Sequence, residues 1–220
     1  MSFELTKEEY GEEMSYRAYN ASIAGLLLYG FLVNILICWA FEDYFTTVNP
    51  LAFLIGYFAL AIAGMFIALQ WESAVGAFVG YNMIVLPIGA AVSICVTGVS
   101  MDTIFFAAGG TAIICAGMLL ASLAKPSVFE RIGSTLFVLL GFTILAELFM
   151  IIFLRRSSFL IDFVVVVIMA CFVGYDFIKA NQSQRTLRNA VLYAIDLYLD
   201  AINIFIRLIS LKEGSSSKKD

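Results

Sequence analysis

The chain of 220 residues contains no histidine. That absence removes the commonest proton shuttle, the commonest metal ligand and every Ser-His or Cys-His catalytic pair. Charge is scarce as well: 14% of the residues are Asp, Glu, Lys or Arg, against about a quarter in a soluble domain. With 13 basic and 17 acidic residues the net charge is −4, so nothing suggests nucleic acid as a partner. The four cysteines, Cys38, Cys95, Cys115 and Cys171, stand singly in separate apolar runs. Without a CxxC spacing they read as small buried apolar residues, not as zinc or dithiol motifs. No nucleophile–base pair is in sight, which predicts that the chain is not an enzyme and carries no cofactor.

What fills the chain is hydrocarbon. Hydrophobic residues make up 62% of it, and the mean hydropathy is +0.95. The expectation is an all-α, multi-pass membrane protein, with the lipid bilayer as its first partner. Apolar runs fall at 21–40, 50–70, 75–98, 103–124, 134–154 and 159–178. Glu42-Asp43, Trp71-Glu72, Ser100-Met101-Asp102, Lys125-Pro126 and Arg155-Arg156 mark the breaks between them. Pro87 lies inside the third run and predicts a kink, while Gly109, Gly110 and Gly117 would permit close helix contacts in the fourth.

A seventh apolar stretch, Asn189 to Leu211, is different. Asp196, Asp200, Asn203 and Arg207 recur there at i, i+4, i+7 and i+11, one stripe along one face of a helix. Its 23 residues would span roughly 34 Å, enough to cross a bilayer core. The alternative is a surface helix with its stripe in water, but the remainder of the chain argues for the membrane.

The boundaries read as an acidic cytoplasmic tail over 1–19, a transmembrane domain over 20–211 and a polar tail over 212–220. The acidic start, with Glu4, Glu8, Glu9, Glu12 and Glu13 against Lys7 and Arg17, is not a cleavable signal peptide. With the N-terminus inside, the inner loops hold Lys7, Arg17, Lys125, Arg131, Lys179, Arg185 and Arg188, and the outer ones only Arg155 and Arg156. Seven against two predicts a cytoplasmic N-terminus. Lys212, Lys218 and Lys219 pull the C-terminus inward too, which would make the last segment re-entrant; its length favours a full crossing. Short tails without sorting motifs favour a bacterial cytoplasmic membrane.

Ionisable residues at membrane depth are functional candidates by default. They are Glu147, Asp162, Asp176, Asp196, Asp200 and Arg207. Asp162 reads as interfacial. Glu147 reads as snorkelling or bonded to a neighbouring helix. Asp176 closes the sixth run, and nine residues join Lys179 to Asn189, so helices six and seven read as antiparallel neighbours. An unwound or re-entrant start to the last segment would bring Asp176 and Asp200 together. Two carboxylates roughly 4 Å apart repel by about 4 kcal/mol at an effective dielectric near 20. That holds one shared proton on the pair near neutral pH and releases it on mild alkalinisation. Deprotonated, the pair suits a hard cation such as Ca2+.

At these residues the chain resembles the Bax inhibitor-1 (transmembrane Bax-inhibitor-motif) family. Ile195-Asp196-Leu197-Tyr198-Leu199-Asp200-Ala201-Ile202-Asn203-Ile204-Phe205 is similar to the family's closing motif, and Gly174-Tyr175-Asp176 to the end of its sixth helix. The 24-residue separation of Asp176 and Asp200 suits the bacterial calcium-leak members. Thr111 to Leu140 looks like the fourth-to-fifth helix passage, although Ala124-Lys125-Pro126-Ser127-Val128-Phe129 replaces the usual T-K-x-D-F-S turn. The resemblance implies seven transmembrane helices with the last one central and surrounded by the other six. It implies a pH-sensitive Ca2+ leak gated by Asp176 and Asp200, with Asp196, Asn203 and Arg207 as the supporting stripe. Ca2+ and protons would be its ionic partners. One departure stands out. The basic latch at the cytoplasmic end of helix 2 is replaced by Gln70-Trp71-Glu72-Ser73, leaving Arg185, Arg188 or Arg207 to supply it. The competing reading is a regulatory protein that binds another membrane protein, a protease or a death regulator, without ion flux. A proton-coupled carrier would need symmetric halves, which the sequence lacks.

Overall fold

Several helices begin where the sequence supplies a cap. Ser15 accepts from the Ala18 N–H at 3.2 Å, Asn49 from Leu51 and Ala52 at 3.0 and 3.2 Å, Ser73 from Gly76 at 3.0 Å and Ser100 from Thr103 at 3.3 Å. These side chains satisfy amide donors that the first turn leaves without a partner. Pro50 and Pro126 occupy first-turn positions, where no amide hydrogen is needed.

The computed structural model describes residues 13–41, 44–150 and 159–216. Seven α-helices lie among them, with no strand: α1 (Tyr16–Ala40), α2 (Pro50–Gln70), α3 (Ala74–Val96), α4 (Met101–Ala124), α5 (Pro126–Phe149), α6 (Phe159–Gln182) and α7 (Leu187–Ser216). A short 3₁₀ turn, Tyr44–Thr47, precedes α2. α1 to α6 are long and apolar enough to cross a membrane. Leu28, Ile35, Trp39, Ile62, Phe105, Ile113 and Phe142 stand exposed on them, as lipid-facing side chains must.

α2 matches its apolar run residue for residue, whereas others outgrow theirs. α1 starts at Tyr16, and α5 at Pro126, eight residues before its run. The tail boundary expected at residue 19 therefore falls inside a helix, and the one expected at 212 falls inside α7. α7 is one unbroken helix of 30 residues, about 45 Å long. No reversal of direction occurs in it. α3 continues as helix through Pro87. Glu4, Lys7, Glu8, Glu9, Glu12, Glu42, Asp43, Arg155, Arg156, Lys218 and Lys219 lie outside the described residues.

The chain divides into two compact units, Met1–Thr97 with Ala180–Asp196, and Gly98–Lys179 with Leu197–Asp220. In the first unit α2 and α3 meet backbone to backbone. A Cβ on Gly64 would come within 2.7 Å of the Gly80 carbonyl oxygen, and one on Gly80 would reach Gly64 O. Only glycine allows that approach. The close contact expected from the fourth run is confined to Gly110, where a Cβ would meet Leu208 at 2.9 Å; Gly109 and Gly117 face open space. Tyr81 is wholly buried and donates its hydroxyl to Leu26 O at 2.8 Å, joining α3 to α1.

In the second unit α5 and α6 interlock. Gly174 of α6 leaves room for the Phe129 ring of α5, and Gly133 of α5 leaves room for Tyr175 of α6. Phe137 adds an edge-on contact with Phe172, ring centroids 5.0 Å apart. This packing fixes the stretch of α6 that carries Asp176.

Candidate functional site

The second half of α7 is bonded to every other helix of its unit. Thr103 of α4 donates to Glu213 Oε1 at 3.0 Å. Arg207 reaches Glu147 of α5 and Asp162 of α6. Its two terminal nitrogens take the two carboxylate oxygens of Glu147, Nη1 to Oε1 and Nη2 to Oε2, both at 2.7 Å. Nη1 also donates to Asp162 Oδ1 at 2.7 Å, and Ser210 Oγ donates to Asp162 Oδ2 at 2.7 Å. The planar fork of arginine suits such a double grip, and charge-assisted bonds of this length are the strong ones.

This cluster selects among the expectations. Asp162, in the first turn of α6, is 4% exposed and is gripped by Arg207. Glu147 is bonded to a neighbouring helix rather than snorkelling. Arg207 belongs with these acids. Asn203, also on the stripe, donates back to Leu199 O of its own helix at 2.8 Å. The signal that could have found the cluster was depth. In an up-and-down chain the end of α5, the start of α6 and the later part of α7 fall at one end.

Asp200 sits on the same face of α7, seven residues before Arg207, and is 7% exposed. Asp176 is half-buried on α6 in the same unit. Asp176 stands six residues before the end of α6, and Asp200 thirteen after the start of α7. Helical structure at Leu187 means that an unwound start is not what would bring them together. Asp196 is half-buried and belongs to the first unit. Among the described residues no group of three His, Cys, Asp or Glu side chains could hold a metal ion. Two carboxylates offer at most four of the roughly six to eight oxygens that Ca2+ takes.

The three arginines that could replace the helix-2 latch have separate places. Arg185 pairs with Glu13 at 2.9 Å. Arg207 holds the acids of α5 and α6. Arg188 bonds the α2 end itself, through Leu69 O at 2.9 Å and Trp71 O at 3.4 Å. A guanidinium there satisfies carbonyls that a helix C-terminus leaves open, and its charge suits the negative end of the helix dipole. Of the three arginines, Arg188 at the start of α7 is the one bonded to the end of α2.

Comparison with the curated proteins gives no match. A family model described as "Inhibitor of apoptosis-promoting Bax1" matches residues 12–217, from before α1 to the end of α7. The match takes in the aspartates of α6 and α7 and the packing that positions them, and the chain belongs to the Bax inhibitor-1 family.

Proposed function

We propose that the chain is a pH-sensitive Ca2+ leak, in which Asp176 and Asp200 share a proton and gate ion passage along the polar face of α7. The observation that carries this reading is Asp200, a carboxylate only 7% exposed and midway along a helix some 45 Å long. A carboxylate at that depth costs stability and is retained for a task. Asp176 is the nearest acid upstream of it in the same unit, and family membership supports the assignment. Ca2+ acts here as a passing ion that keeps part of its water shell. The N-terminus lies in the cytoplasm of a bacterial cell on this reading, following the distribution of basic residues.

The description of the family favours a second reading, a membrane regulator that acts by binding another membrane protein. Ca2+ uptake by proteoliposomes across pH 6–8 separates the two. The leak predicts uptake above that of protein-free vesicles, with a rate that changes over this range. A regulator predicts no uptake, and an Asp176→Asn/Asp200→Asn variant that still complements a deletion strain.

A further inference from the structure

We propose that Arg207, held between Glu147 and Asp162, sets the charge selectivity of the leak. The inference rests on the reading above and adds a second control point to it. Arg207 lies on the polar face of α7, about 10 Å along the axis from Asp200. A lone arginine there would repel cations. Glu147 alone would neutralise it, through the two 2.7 Å bonds that make up a complete fork-to-carboxylate pair. Asp162 is therefore surplus. It brings a second carboxylate to Arg207 Nη1 and is steadied by Ser210. One positive and two negative groups leave the cluster at −1, a balance that attracts a passing cation and repels an anion.

The cluster is also open on one side. The Arg207 and Glu147 side chains are 22% and 28% exposed, while Asp162 at 6% stands behind them. Charged groups do not front hydrocarbon cheaply, so the open side is wetted. Among the described residues, the next charged groups along α7 make contacts of their own: the Lys212 ammonium lies 4.9 Å from the Phe106 ring centre, and Glu213 accepts from Thr103.

The test is the reversal potential of reconstituted protein under an asymmetric CaCl2 gradient, which reports selectivity independently of how many molecules are active. The net charge is −2 in Arg207→Gln, −1 in the wild type, 0 in Glu147→Gln and +1 in Glu147→Gln/Asp162→Asn. The expected result is a cation-to-anion permeability ratio that falls along this order by about tenfold per unit of charge. Arg207→Lys keeps the charge while losing the fork, and should keep the wild-type ratio. A reversal potential unchanged across the series, with conductance alone reduced, would make the cluster a structural clamp and overturn the proposal. Should Arg207→Gln fail to fold, Glu147→Gln and Arg207→Lys still decide, because a filter predicts a lowered ratio for the first and the wild-type ratio for the second, whereas a clamp predicts the wild-type ratio for both. A wild type that conducts nothing removes the leak itself; a conducting wild type with a flat series removes only this inference.

Discussion

Arg207 of α7 grips both carboxylate oxygens of Glu147 of α5, 60 residues earlier in the chain, at 2.7 Å each. Asp162 of α6 shares the same guanidinium, so one side chain ties three helices together. Removing it leaves two carboxylates facing each other, whereas removing Glu147 leaves Arg207 paired with Asp162. Arg207→Gln should therefore destabilise the protein by roughly 3 kcal/mol and Glu147→Gln by about 1, moderated because both side chains are partly open. Thermal unfolding in detergent reads the difference, on the order of 10 °C for the first. Equal shifts for the two variants would contradict the charge balance.

The glycines of α2 to α4 differ in what surrounds them. A Cβ on Gly80 would meet the Ala68 amide nitrogen at 2.6 Å, whereas one on Gly109 would meet nothing. Gly80→Ala is expected to cost roughly 2 kcal/mol, since backbone cannot step aside. Gly109→Ala is expected to be neutral or to gain up to about 1 kcal/mol from helix propensity. Paired melts of the two variants check the sign.

Arg188 caps α2 from another helix. Arg188→Ala should loosen the last turn of α2, raising amide hydrogen exchange near residues 67–71 and costing about 1 kcal/mol. Lysine should restore only part of the protection, because it lacks the fork that reaches Leu69 O and Trp71 O together.

Most of the helices were legible, for a simple reason. Apolar runs bounded by Asn49-Pro50, Ser73 and Ser100 carry both the hydrophobic length and the cap that begins it. α5 hid its start because Glu130 and Arg131 make its first two turns polar, so hydropathy alone begins it at Ser134. The aspartates of α6 and α7 were visible as charges where charge is costly. The Glu147–Asp162–Arg207 cluster was not assembled from sequence, because its members lie on three helices separated by 45 and 60 residues from Arg207. No local motif joins them. Arg188 was named only as one of three possible partners, since chain order does not say which helix end a loop arginine reaches.

The central claim is that Asp176 and Asp200 hold one proton between them, and a mutant cycle on the pH–flux profile tests it most directly. Ca2+ uptake into proteoliposomes would be followed from pH 6 to 8 for wild type, Asp176→Asn, Asp200→Asn and the double variant. A shared proton predicts that either single substitution flattens the profile and that the double variant adds nothing further. Two partial effects that sum in the double variant would show two independent acids, and would contradict the account.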